Sequence, residues 1–260
     1  MVVGGGRIYH GAPIFSALAA YRSGVDIVYV ATPEKISQVI RSISPSLIVF
    51  PLPDVKLTGG CVNIVVRNVE RGTLKIDSAV IGPGLSGKPT EIGLLAYKLS
   101  NMDVKLVLDA SALRNEVLKR ISGKKVVLTP HEGEFQLMFG VKPESELEKR
   151  AEIVKRFAEE FKVVILLKGP QDIISDGKEI YVNKTGNAGM TVGGTGDVLS
   201  GLTAGFMARG VEPLKAAVIG AYINGLAGDR VASKLGFHFL AEDLIDEIPL
   251  VLKEFDRLID

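Results

Sequence analysis

Short apolar runs alternate along this chain with stretches whose apolar residues recur at helical spacing. The runs are Val25–Ala31, Leu47–Phe50, Ala79–Ile81, Lys105–Leu108, Val126–Leu128 and Val163–Leu167. They are continuous rather than alternating, which suits strands buried on both faces. Between them lie helical candidates at Pro13–Tyr21, Glu34–Ile43, Thr90–Leu99, Ala112–Ile121 and Glu146–Phe161. Such βα alternation predicts an α/β fold with a mostly parallel sheet covered by helices. After Leu167 the pattern changes. Asp172–Ser175 and Glu179–Asn183, joined across Asp176-Gly177, read as a hairpin. The rest reads as helix over Thr195–Ala208, Pro213–Lys234 and Ala241–Leu258. No linker or charge block divides residues 1–260, so the chain reads as one domain. Met1-Val2-Val3, followed by three glycines, resembles the tail of a strand.

Composition narrows the function classes. The net charge of +1, from 31 basic and 30 acidic residues, argues against a nucleic-acid or membrane-surface partner. No apolar run reaches about 18 residues, and no basic-then-apolar leader opens the chain. The single cysteine, Cys61, excludes an intrachain disulfide and fits a reducing cytoplasm.

In open α/β sheets ligands sit beyond the carboxyl ends of the strands. This chain marks those ends with Gly82-Pro83-Gly84, Asp109, Thr129-Pro130-His131-Glu132-Gly133-Glu134 and Lys168-Gly169. The fold would gather them on one edge. A second signal is Gly193-Gly194-Thr195-Gly196-Asp197, just before an apolar helix. Glycines let successive amides turn toward one point, and a helix start adds free donors and a positive dipole end. The result is an anion hole suited to a phosphoryl group. Asp197 beside a phosphate makes chemical sense as the acceptor of a proton from an attacking hydroxyl. The helix dipole is expected to keep it ionised. As a plain alternative, Asp is also a good helix cap.

Other motifs fail, two of them on a single residue. Gly82 to Lys88 has Walker A spacing, but Pro89 stands where a magnesium-binding hydroxyl is needed. Pro89 instead suits the first position of a helix. A dinucleotide fingerprint counted from Gly4 needs glycine where Tyr9 stands. His131-Glu132 has no second histidine at metalloprotease spacing, and no G-x-S-x-G elbow occurs.

The run Lys184–Gly201, KTGNAGMTVGGTGDVLSG, resembles the ADP- or ATP-dependent NAD(P)H-hydrate dehydratases of the ribokinase-like superfamily. Val3-Gly4-Gly5 through Gly11-Ala12-Pro13, Gly82-Pro83-Gly84, Leu108-Asp109-Ala110, Leu128–Phe135 and Leu167-Lys168-Gly169 follow in the family's order. The resemblance covers nearly the whole chain and implies a ribokinase-like three-layer αβα sandwich. It implies a repair reaction in which hydrated NADH or NADPH is phosphorylated on its ring hydroxyl and loses phosphate. By resemblance Asp197, Gly194 and Gly196 carry the chemistry, and Ala12, Gly84, His131 and Asp197 contact the hydrated dinucleotide. Lys168, Gly169, Pro170, Gln171, Asp172 and Gly196 contact the nucleotide, and Glu134 holds magnesium through water. For Lys168, His131 and Glu134 a surface lysine, a capping histidine and a first-turn acid are the structural alternatives. ADP is expected as donor because microbial members commonly use it, and the chain is expected to assemble as a homo-oligomer.

Two departures stand out. Ala188 replaces a common proline, which is expected to loosen the approach to the anion hole. Ser111 stands where the family usually has a second Asp. The family often carries an upstream epimerase domain, which has no counterpart here and is expected on a separate or removed segment. The rival reading is a thiazole or pyrimidine alcohol kinase of the same fold, which uses the same anion hole.

Overall fold

A computed structural model describes residues 1–257. Nine strands form one sheet in the order β3-β2-β1-β4-β5-β6-β7-β8-β9. They are β1 (Val2–Val3), β2 (Tyr29–Pro33), β3 (Ile48–Leu52), β4 (Ser78–Ile81), β5 (Lys105–Leu108), β6 (Val126–Leu128), β7 (Val164–Leu167), β8 (Asp172–Ser175) and β9 (Ile180–Asn183). All pairs through β7 are parallel, and the β8–β9 hairpin closes the edge antiparallel. Strands β1, β2 and β4 to β8 are buried on both faces and feed opposite cores with successive residues, while the edge strands β3 and β9 expose Ile48 and Tyr181. Leu106 and Leu108 pack on one side while Val107 packs on the other, and Ile165, Leu166 and Leu167 repeat the alternation.

Helices cover both faces. One face carries α3 (Gly59–Glu70), α4 (Pro89–Ser100), α5 (Asn115–Ile121), α6 (Glu132–Phe139) and α7 (Leu147–Phe161). The other carries α1 (Gly11–Arg22), α2 (Glu34–Ile43), α8 (Thr195–Ala208), α9 (Pro213–Leu235) and α10 (Ala241–Leu252). This is the expected three-layer αβα sandwich. The strand order reverses between β1 and β4, which opens a crevice beyond their carboxyl ends.

Several boundaries differ from the sequence expectation. β2 starts at Tyr29, since Asp26 interrupts the run and Ile27 is exposed. Residues 110–112 form a 3-10 turn, and α5 begins only at Asn115. α3 was not legible as a helix, because its two leading glycines and four valines have poor intrinsic propensity. Thr58 caps it by accepting from the Cys61 amide at 3.3 Å, and burial of Cys61, Val62, Val65 and Val66 holds it. α10 ends at Leu252 in a 3-10 turn, and Leu258, the expected end, lies outside the described residues. No helix among the described residues is long and apolar enough to cross a membrane.

Small residues let α1 and α8 touch backbone to backbone. A Cβ on Gly201 would lie 2.1 Å from the Ser16 carbonyl oxygen, and one on Gly205 would lie 1.9 Å from Ser23 Oγ. Ser16 Oγ also donates to the Asp197 carbonyl at 3.0 Å, so α1 fixes the start of α8. Gly201→Ala must push the helices apart. It should lower unfolding stability by about 1–3 kcal/mol in denaturant titration, and it should weaken nucleotide binding as well.

Candidate active site

The start of α8 is held bare. Gly194 is its N-cap at φ 102°, a left-handed conformation suited to glycine. A Cβ there would also fall 2.7 Å from the Phe15 ring and 2.8 Å from Ala241 Cβ. The first hydrogen bond into the helix runs from the Val198 amide to the Gly194 carbonyl at 3.0 Å. Among the described residues, the amides of Gly193, Gly194, Thr195, Gly196 and Asp197 donate to nothing. The loop before them is braced. Asp229 accepts from the Gly186 amide at 3.0 Å and from Asn187 Nδ2 at 2.9 Å, while Asn187 Oδ1 caps the Gly189 amide at 3.0 Å. These contacts hold the approach that Ala188 in place of proline was expected to loosen.

Two cavities meet here. One, of about 610 Å³, is lined by Ala12, Gly84, Ser111, Arg114, His131, Glu134 and Asp197, among others. The other, of about 700 Å³, is lined by His131, Lys168, Gly169, Pro170, Asp172, Asn187, Thr195 and Gly196, among others. The residues expected to touch the dinucleotide all fall on the first cavity. Those expected to touch the nucleotide fall on the second, apart from Gln171, which sits half-buried in the same turn without lining it. Asp197 and Gly196 are consecutive and face different cavities.

Four titratable groups crowd this junction. Lys168 Nζ lies 3.1 Å from Asp109 Oδ1 and 3.7 Å from Glu134 Oε2, and overlies Gly196, whose Cβ position is 3.3 Å away. Burial favours neutral Lys168, yet Asp109, Glu134 and Asp197 outweigh it and hold the ammonium above its usual range. Asp197 contradicts the expectation that the dipole keeps it ionised. Burial, reinforced by the Asp109 charge, pushes its carboxyl up to about 8. Lys168 opposes the shift and Glu134 adds to it. Desolvation with two neighbouring carboxylates outweighs one lysine and the helix start, even though Asp197 lies in the first turn.

His131 realises its structural alternative and keeps the other open. Its Nδ1 accepts from the Gly133 amide at 3.0 Å and the Glu134 amide at 3.3 Å, while the exposed ring lines both cavities. Glu134 returns the capping bond to the His131 amide at 2.9 Å. That box builds α6, which has no place among the helices expected from sequence, although a capping His131 and a first-turn Glu134 were the structural alternatives for these two residues. The signal was present in His131 and Glu134, three apart before Phe135. Asp172 accepts from Asn183 Nδ2 and the Gly169 amide, both at 3.1 Å, and so shapes the turn at Gly169. Burial raises its carboxyl despite both donors. Ser111 donates to the Gly82 carbonyl at 2.9 Å. The Walker-like segment is a turn followed by α4 with Pro89 at its start, as the proline implied. No group of three His, Cys, Asp or Glu side chains among the described residues converges to hold a metal directly.

A family model described as NAD(P)H-hydrate dehydratase matches residues 1–250. The chain is 49% identical over 259 residues to the ADP-dependent (S)-NAD(P)H-hydrate dehydratase of Cenarchaeum symbiosum, covering 99% of this chain and 89% of that one. It is 41% identical over 257 residues to the bifunctional NAD(P)H-hydrate repair enzyme of Pyrobaculum aerophilum, spanning 98% of this chain and 50% of that protein. Its fold matches the Bacillus subtilis ADP/ATP-dependent NAD(P)H-hydrate dehydratase co-crystallized with ATP/Mg2+, with a TM-score of 0.83 and 28% identity. That match covers 98% of this chain and 88% of the other. With its three-layer fold, its bare glycine-rich helix start and these matches, the chain belongs to the NAD(P)H-hydrate dehydratase family.

Proposed function

We propose that this chain restores hydrated NADH and NADPH by phosphorylating the ring hydroxyl and expelling phosphate, a carbon–oxygen lyase reaction driven by a nucleotide. The observation that carries the reading is the set of free amides at residues 193–197, beside a carboxylate, where two cavities meet. Those amides hold the transferred phosphoryl group in its transition state, and one such donor is typically worth about 10²–10³ in rate. Asp197, on the dinucleotide side, accepts the hydroxyl proton as the oxygen bonds to phosphorus; a placed base adds about 10²–10⁴. Gly194 and Gly196 keep the amides uncovered. Ala12, Gly84 and His131 shape the dinucleotide cavity, and His131 offers its ring to both ligands. Lys168 reaches across Gly196 to the phosphates, with Gly169, Pro170, Gln171 and Asp172 forming the turn that receives the nucleoside. The phosphorus–oxygen bond to the donor breaks and releases the shortened nucleotide. The ring nitrogen's lone pair then expels phosphate, and a proton leaves the neighbouring ring carbon.

The cluster fits a hard cation held through water. Asp109, Glu134 and Asp197 place three carboxyl groups around one ammonium, and hard cations prefer oxygen donors. Glu134 is the residue that would hold magnesium in this way. Magnesium, when bound with nucleotide, supplies positive charge against the phosphates and draws Asp197 toward its ionised form. ADP is the proposed donor, supported by the named donor of the Cenarchaeum relative. A cytoplasmic homo-oligomer, with an epimerase on a separate or upstream segment, completes the reading. An alcohol kinase is disfavoured because the Thr129–Glu134 block and the opening Gly11-Ala12-Pro13 belong with the dehydratase pattern.

Hydrated NADH mixed with the protein, magnesium and ADP or ATP should regain the absorbance of reduced nicotinamide, faster with ADP. No recovery with either nucleotide would remove the proposal. Asp197→Asn should lower kcat by at least about 10²-fold while nucleotide binding, followed by calorimetry, persists. The same variant has a thermal signature. The raised carboxyl means that the native state holds this proton more tightly than the unfolded chain. Stability is therefore lost as pH rises from about 4 toward about 8. Asp197→Asn should melt higher than wild type at pH 8 and nearly the same at pH 4, by calorimetric scanning.

A further inference from the structure

The dinucleotide cavity has an electrostatic problem that its expected residues do not solve. Its lining includes the carboxyl groups of Glu134 and Asp197, while Lys168 belongs to the other cavity. A hydrated dinucleotide carries a diphosphate with two negative charges, and Lys168, already shared by Asp109, Glu134 and Asp197, leaves these without a counter-charge of their own in this cavity. Among the described residues, the one lysine or arginine that lines this cavity is Arg114.

Arg114 is placed for the task. It is the residue before α5, at the end of the loop that follows β5 and begins with Asp109. It is the N-cap of α5, with extended backbone at φ −137° and ψ 147°. Its Nη1 donates to the Leu113 carbonyl at 2.8 Å, which orients the guanidinium. Among the described residues it forms no ion pair with any carboxylate, although Lys168 of the same site forms two. Arg114 is half-buried and lines the cavity, and the bond to Leu113 uses one of its five donors. A guanidinium presents a planar fork of donors that matches two phosphate oxygens at once, which an ammonium does not.

From this we infer that Arg114 is the diphosphate anchor of the hydrated dinucleotide. This rests on the proposed dehydration. It adds that the enzyme recognises its substrate by the bridge between the two nucleosides as well as by the ring hydroxyl. Arg114 would hold the diphosphate alike in the ground and transition states, so its loss acts on KM more than on kcat.

The test compares hydrated NADH with hydrated reduced nicotinamide riboside, which has the same ring and no phosphate. Wild type with ADP and magnesium should prefer hydrated NADH, and Arg114→Ala should shrink that kcat/KM ratio by about 10- to 100-fold, mostly through KM. Arg114→Lys should recover part of the preference as a point charge, and Arg114→Gln, which keeps a donor for Leu113, should recover little. An equal loss on both substrates, or no loss, would overturn the assignment while leaving the dehydration intact. A loss confined to hydrated NADPH would overturn it too, by moving the contact to the 2′-phosphate. Wild type without turnover on hydrated NADH would remove both this assignment and the functional reading beneath it.

Discussion

Five amides at the start of α8 must stay without partners, and much of the surrounding structure serves that condition. An unpaired buried donor is costly, so bare amides persist only where other contacts fix the backbone and a ligand or water can reach them. Here the fixing comes from three directions. Gly194 turns left-handed against Phe15 and Ala241, Ser16 holds the Asp197 carbonyl from α1, and Asp229 on α9 ties down residues 186 and 187. The strand order opens a crevice between β1 and β4, and Gly82, Gly84 and Asp197 line one cavity there.

Charge is arranged with equal bias. Asp109, Glu134 and Asp197 share one lysine, so the protein's own groups at this centre include more acid than base. Asp197 answers by holding its proton, with its carboxyl pushed up to about 8. A general base works best when its pKa lies near the operating pH, so the same burial that destabilises the ionised carboxylate tunes it for proton transfer. Function and stability pull against each other at this one side chain.

Much of this was legible in the sequence. The parallel sheet followed from continuous apolar runs, and the hairpin from Asp176-Gly177 between two of them. The anion hole followed from four residues and an aspartate, since glycine at a helix start has few other uses. What could not be read depends on distance in space. The ion pair between Asp109 and Lys168 joins residues 59 apart, and nothing local in either segment names the other. The raised Asp197 was missed for the same reason, because a dipole is local to the helix while burial and Asp109 are not. α3 was missed because tertiary burial overrides poor propensity. Arg114 was missed because a lone arginine before a short helix has no distinguishing pattern until the cavity exists.

The central claim is that phosphoryl transfer precedes loss of the ring oxygen. Hydrated NADH labelled with ¹⁸O in its ring hydroxyl separates this from direct loss of water. If the bare amides and Asp197 act as described, the inorganic phosphate recovered by mass spectrometry carries one ¹⁸O for each dinucleotide restored. Label appearing in water, with unlabelled phosphate, would contradict it.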